Sequence, residues 1–231
     1  MLKKYEHIFF DLDRTLWHFD ENSKKVLKEI FTIFKLNQSI DSFDSFLEKY
    51  HEINNQLWDA YEKDKIGKEK FRWKRFEDTL QFFKIDNQEL STQIGDYYID
   101  WSPKQTLLFP HAIETLEYLS KKYQLHIISN GFEEVQHIKL TNSGIIHYFS
   151  TIILSERVGV KKPHPLIFKR AMKQSGASIK NSIMIGDDLY ADIYGAQRVK
   201  MDHVYFNFYK TVHDKKVQYE INCLSELVKF L

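Results

Sequence analysis

Five short apolar runs set the strongest limit on how this chain folds: Ile8-Phe9-Phe10, Leu125-His126-Ile127-Ile128, Thr151-Ile152-Ile153-Leu154, Ile183-Met184-Ile185 and His203-Val204-Tyr205-Phe206. Each is apolar almost throughout instead of alternating with polar residues, which fits strands buried on both faces, as in a parallel sheet. Helical spacing separates most of them. That alternation predicts an α/β fold with a doubly wound, Rossmann-like parallel sheet as its core.

Between about residues 18 and 103 the pattern changes. Val26, Leu27, Ile30, Phe31 and Phe34 follow helical spacing, and so do Phe43, Phe46, Leu47, Tyr50, Ile53, Leu57 and Tyr61. Phe71, Phe76, Leu80 and Phe83 make a third stripe, and Leu90, Ile94, Tyr97 and Trp101 a fourth. Strand-like runs are missing here, and Pro103 and Pro110 bracket the return to the α/β pattern. The expected organisation is a core built from 1–17 and 104–231 with a helical cap domain inserted at 18–103. Asp214-Lys215-Lys216 reads as a solvated turn, and Leu224, Leu227, Val228 and Leu231 as a closing helix that includes Cys223.

Composition narrows the partners. The 231 residues carry 33 Lys+Arg against 32 Asp+Glu, a formal charge of +1. This balance gives no support for a nucleic-acid polymer or a membrane surface as partner, while a local basic pocket for a small phosphorylated molecule stays open. Cys223 is the single cysteine, so no intrachain disulfide forms. With no signal-like start and no run near the ~20 apolar residues of a membrane helix, the expectation is a soluble cytoplasmic protein.

Four clusters that could carry chemistry follow predicted strands, and parallel sheets bind ligands beyond the carboxyl ends of their strands. Asp11-Leu12-Asp13-Arg14-Thr15 places two carboxylates past a buried strand, a costly arrangement unless a positive charge attends them. A divalent cation would meet that need, and one carboxylate could attack phosphorus while the other moves a proton. Alone, the pair also reads as turn or capping aspartates. Ser129-Asn130-Gly131-Phe132 could offer donors to an oxyanion, or simply cap a helix. Val158-Gly159-Val160-Lys161-Lys162-Pro163 offers a lysine to balance charge, although most lysines are surface residues. Gly186-Asp187-Asp188-Leu189-Tyr190-Ala191-Asp192 would complete an oxygen-rich metal site, with Asp192 as supporting or capping residue.

The order of the four decides between these readings. Asp11-x-Asp13-x-Thr15, then Ser129, then Lys162, then the Gly186-Asp187-Asp188 segment resembles the haloacid dehalogenase-like (HAD) superfamily of hydrolases. The resemblance implies Asp11 as nucleophile and Mg²⁺ ligand, Asp13 as general acid and base with its backbone carbonyl on the metal, and Asp187 as second carboxylate ligand. It further implies Ser129 holding the phosphoryl group and Lys162, in preference to Lys161, neutralising Asp11. Asp13 favours a phosphatase over a dehalogenase, because an alkoxide needs a proton to leave and a halide does not. A phosphomutase keeps the same aspartate, and a catalytically silent module on this fold is the remaining alternative.

The cap resembles the pyrimidine 5′-nucleotidase (house-cleaning nucleotidase) branch of the superfamily. The residues that carry this are Thr15-Leu16-Trp17-His18-Phe19-Asp20, Asn55-x-x-Leu57-Trp58-x-x-Tyr61 and Arg75-Phe76-Glu77, extended by Ser129-Asn130-Gly131-Phe132 and Ser155-Glu156-Arg157-Val158-Gly159-Val160. It implies a nucleoside monophosphate substrate, with Ser129, Asn130, Asn55, Trp58 and Arg75 as binding residues. A small sugar phosphate is the competing substrate. For Trp17, Phe19, Trp58 and Tyr61, packing is the commoner role of such aromatics than base stacking. Arg14 stands where an acidic residue is frequent in that branch. His111 and His164 read as structural or solvent-facing.

Overall fold

The computed structural model describes residues 5–231, so the first four residues of the segment expected over 1–17 lie outside it. Six strands make one sheet: β1 (His7–Phe10), β2 (Gln124–Ser129), β3 (Phe149–Leu154), β4 (Ser182–Gly186), β5 (Asp202–Phe206) and β6 (Tyr219–Ile221). Their order is β3-β2-β1-β4-β5-β6, and every pairing is parallel. The sheet grows from β1 out to β3, then resumes on the other side of β1 with β4. That reversal puts a ligand crevice beyond the carboxyl ends of β1 and β4.

The chain forms two compact units, one made of Thr106–Leu231 with the chain up to Phe19, the other of Asp20–Gln105. The second unit is helical throughout: most of α1 (Phe19–Ile33), then α2 (Phe43–Glu62), α3 (Lys68–Phe82) and α4 (Gln88–Trp101). Its core joins Val26, Leu27 and Ile30 of α1 to Phe46 and Tyr50 of α2, Phe76 and Leu80 of α3, and Ile94 and Tyr98 of α4. Ser42 and Asn87 start α2 and α4 by accepting the N–H of Ser45 at 3.1 Å and of Leu90 at 3.0 Å.

In the first unit the helices are α5 (Ala112–Ser120), α6 (Glu133–Asn142), α7 (Ser155–Val158), α8 (Pro165–Ser175) and α9 (Gly195–Arg198), with a π-helical turn over Leu189–Tyr194. The strands are continuously apolar because both sheet faces are covered. Ile8, Phe10, Ile127, Ile185 and Val204 pack with Leu116 and Leu119 of α5. The alternate residues Phe9, Ile128 and Met184 pack with Ile167, Phe168 and Ala171 of α8. Among the described residues no helix is long and apolar enough to cross a membrane.

Two details depart from the sequence reading. Strand β6 is three residues long with Tyr219 and Glu220 exposed, too short to leave a periodic signal. The expected closing helix is a 3₁₀ turn over Leu224–Lys229, and Cys223 precedes it, half-buried. Leu224 and Leu227 still seal one sheet face.

One core feature carries a pH prediction. His7 and His126 stack at 5.3 Å on neighbouring strands and share a ring-to-ring hydrogen bond of 3.1 Å, with Phe9 stacked on His126 at 4.7 Å. Burial pushes His126 down to about 4, and the charge of His7 adds to this. The unfolded chain therefore binds more protons than the folded one between about 4 and the ordinary histidine value near 6.5, so stability falls as pH drops through that window. The loss is expected to reach about 3 kcal/mol. Denaturant melts of wild type and His126→Val at several pH values check this, and the variant is expected to show the shallower acid slope.

Candidate active site

Asp11 leaves the end of β1 with its N–H donating to the Ile185 carbonyl at 2.9 Å, which fixes it at the β1–β4 boundary. Its carboxylate is buried and accepts from Lys162 Nζ at 2.5 Å. The same ammonium donates to Asp192 Oδ1 at 2.6 Å and to the Ile128 carbonyl at 2.9 Å, so all three of its protons are used. Asn130 positions this lysine. Its Oδ1 accepts the Lys162 N–H at 2.7 Å and its Nδ2 donates to the Lys162 carbonyl at 3.1 Å. The Asn130 side chain, expected to bind substrate, thus has both ends engaged with the lysine backbone.

Opposite Lys162 stand three carboxylates. Asp11, Asp187 and Asp192 each offer an oxygen within 4.8 Å of the others. Thr15 ties Asp187 to the first loop, donating from Oγ1 to Asp187 Oδ1 at 3.0 Å and accepting the Asp187 N–H at 3.1 Å. Asp192 Oδ2 accepts the Asp188 N–H at 3.1 Å. A Cβ on Gly186 would lie 2.2 Å from Asp192 Oδ2, so this carboxylate closes on the strand end because residue 186 has no side chain. Asp188 caps the π-helical turn, accepting from the N–H of Tyr190 and Ala191 at 2.7 and 2.8 Å.

The electrostatics of the cluster are unbalanced. Burial raises Asp11, against the opposing pull of Lys162. Burial also raises Asp187, reinforced by the charges of Asp11 and Asp192 and opposed by Arg14. Asp192 is pushed up to about 8 by burial, against the pull of Lys162. Lys162 itself, which burial alone would lower, is held well above the usual lysine range by Asp11 and Asp192. Buried Asp11 and Asp192 and half-buried Asp187, with one buried ammonium among them, leave negative charge that a divalent cation would neutralise, and every donor in the cluster is a hard oxygen.

Arg14 shapes the loop after Asp13. It takes left-handed backbone with φ of 63°, which lets its N–H return to the Trp17 carbonyl at 2.9 Å and close the loop after Asp13. Its guanidinium lies 4.7 Å from the centre of the Phe19 ring, and its charge counteracts the rise at Asp187.

Around Ser129 lies a network that sequence reasoning missed. Ser129 Oγ accepts the N–H of Gly131 at 3.0 Å and Nε2 of Gln136 at 2.9 Å, both from beyond the end of β2. Gln136 Nε2 also donates to Asp13 Oδ2 at 2.6 Å, and Lys139 Nζ donates to Asp13 Oδ1 at 2.5 Å. The Asp13 carboxylate therefore faces α6, whereas Asp192 sits with the acidic cluster. A Cβ on Gly131 would fall 1.6 Å from Gln136 Nε2, so Gly131 is the opening through which the amide reaches Ser129. The available signal was a Gln and a Lys at i, i+3 on the buried side of α6, beside Leu140.

The three residues expected from the cap sit within the helical unit. Asn55 is exposed on α2, and Trp58 is half-buried against Tyr61 at 5.4 Å and Phe71 at 5.5 Å. Arg75 is buried, with its guanidinium 4.9 Å from the ring centre of Phe71 and 4.5 Å from that of Tyr98, and it donates to Asn54 Oδ1 at 3.4 Å. His111 and His164 flank the starts of α5 and α8, both exposed, and His164 Nδ1 accepts the Leu166 N–H at 3.2 Å.

The family model for haloacid dehalogenase-like hydrolases matches residues 8–206, which contain every candidate active-site residue described above. The chain belongs to this family. Among its relatives, the pyrimidine 5′-nucleotidase YjjG of Escherichia coli is 29% identical over 193 residues, covering 83% of this chain and 81% of that protein. The glyceraldehyde 3-phosphate phosphatase of Methanocaldococcus jannaschii is 31% identical over 230 residues, covering 96% and 94%. Among solved structures, the HAD-hydrolase YfnB from Bacillus subtilis bound to magnesium superposes with a TM-score of 0.88 at 26% identity, covering 98% of each chain. This HAD hydrolase thus has phosphatase and nucleotidase relatives of nearly its own length.

Proposed function

We propose that the chain is a Mg²⁺-dependent phosphomonoesterase that works through a phosphoryl group on Asp11, and that it acts on pyrimidine nucleoside 5′-monophosphates in the cytoplasm. The observation that carries the reaction is the pairing of a lysine-held carboxylate inside an acidic cluster with a second carboxylate two residues later. Asp11 and Asp187 would hold the cation, with the backbone carbonyl of Asp13, while Asp192 anchors Lys162. Bound there, Mg²⁺ supplies Lewis-acid neutralisation of phosphate charge.

The chain's own groups do the rest. Lys162 offsets the repulsion between the Asp11 carboxylate and a phosphate dianion, and it keeps Asp11 pointed along one line. Ser129 Oγ already accepts two N–H groups, so its own proton is the one it can direct to a phosphoryl oxygen. Asp13 protonates the leaving oxygen and later takes a proton from water.

The nucleotide preference is supported by the likeness to YjjG and by the resemblance of the segments that carry Asn55, Trp58 and Arg75 to the pyrimidine 5′-nucleotidase branch. The likeness to the glyceraldehyde 3-phosphate phosphatase favours a second reading, a small sugar or triose phosphate. Phosphate release from UMP, dUMP, dTMP, AMP, glucose 6-phosphate and glyceraldehyde 3-phosphate, with Mg²⁺ or with excess EDTA, separates the two. The expected result is Mg²⁺-dependent release with UMP, dUMP and dTMP preferred by about tenfold or more, the scale of a single good specificity contact. Preference for either sugar phosphate would replace the nucleotide reading and leave the chemistry standing.

A further inference from the structure

On the phosphatase reading, Asp13 has to give and take protons at the leaving oxygen, yet its carboxylate is held by two residues to which that reading assigns nothing. Lys139 is buried, with its ammonium 4.2 Å from the centre of the fully buried Trp17 ring, and Asp13 is its carboxylate partner among the described residues. Gln136 is also fully buried, and its Nε2 bridges Asp13 Oδ2 to Ser129 Oγ. Its Oε1 is buried with no partner among the described residues. A buried amide left half-satisfied costs stability, as does a buried ammonium, so ordinary packing would favour apolar residues at both places. Both are instead directed at one carboxylate, one on each of its oxygens.

We propose that Gln136 and Lys139 are positioning residues for proton transfer, holding the Asp13 carboxyl group in register with the phosphoryl group at Ser129 and so allowing strongly basic leaving groups to be expelled. In the first step an Asp11 oxygen bonds to phosphorus as the ester P–O bond breaks, and the departing alkoxide takes the proton of the Asp13 carboxyl group. In the second step water bonds to phosphorus and gives its proton to the Asp13 carboxylate, while the Asp11–phosphorus bond breaks and frees inorganic phosphate. Misplacing Asp13 slows the first step in proportion to how badly the leaving group needs a proton.

The test compares two esters of similar size, 4-nitrophenyl phosphate and benzyl phosphate, with the full chain and Mg²⁺. Wild-type turnover of both esters, lost in Asp11→Asn, checks the phosphatase reading on which this inference rests. Lys139→Met is then expected to cut kcat on benzyl phosphate about 10²-fold and on 4-nitrophenyl phosphate less than about tenfold. Lys139→Arg is expected to restore part of the benzyl activity, and in an Asp13→Asn background Lys139→Met is expected to add less than about threefold. Equal losses on the two esters, or full additivity with Asp13→Asn, would overturn the proposal in favour of a packing role. Should Lys139→Met fail to fold, Gln136→Met puts the same comparison to the other carboxylate oxygen.

Discussion

Asp11→Asn is expected to lower phosphate release by about 10⁴-fold or more while leaving the protein folded. The amide keeps the size of the carboxylate and can still accept from Lys162, so the hydrogen bond that orients residue 11 survives in form. The substitution removes the attacking oxygen's charge. It also removes one of three crowded negative charges, so thermal stability in the absence of metal is expected to hold or rise. Melting curves beside the assay separate loss of chemistry from loss of fold. A variant that kept a tenth of wild-type turnover would exclude Asp11 as nucleophile.

Lys162→Met is expected to damage both stability and turnover. It leaves Asp11 and Asp192 buried without their shared cation, and breaking a buried ion pair from one side costs about 3–5 kcal/mol. Turnover is expected to fall by about 10²–10³-fold, the scale of losing one preorganised donor at an anionic centre. The stability loss should deepen with pH. Burial raises Asp11 and Asp192 against the pull of Lys162; without that pull both rise further, so the folded variant binds more protons than its unfolded chain above the ordinary carboxylate range, and its stability falls more steeply than that of wild type as pH rises. Added Mg²⁺ should recover part of the lost stability, since it binds the folded cluster and replaces the missing charge. Denaturant melts at pH 6 and pH 8, with and without Mg²⁺, read this out. A variant as stable as wild type at both pH values would contradict the electrostatic account of the cluster.

What the sequence shows of this molecule follows from how locally each feature is encoded. The strands β1 to β5 are legible because double burial demands unbroken apolar runs, and the four helices of the helical unit because one-sided burial demands helical spacing. Strand β6 escapes because three residues with two of them exposed carry neither signal. Asp11, Ser129, Lys162 and Asp187 follow strands or their loops closely, so topology alone brings them together once the sheet is parallel. Gln136 and Lys139 do not stand out, because a polar residue on a helix is ordinarily solvated, and only three-dimensional packing turns these two inward. Asn130 illustrates the converse. Its type and place fit a ligand contact, while its amide spans the Lys162 backbone 32 residues away.

The central claim is the covalent step at Asp11. Wild-type protein turning over substrate with Mg²⁺ would be quenched rapidly, reduced with borohydride and digested for peptide mass spectrometry, since reduction of an aspartyl phosphate yields homoserine. The account predicts homoserine at position 11, present with substrate and Mg²⁺ and absent when either is left out. Sustained phosphate release with Asp11 unmodified and the reduced residue at another aspartate, or at none, would contradict it.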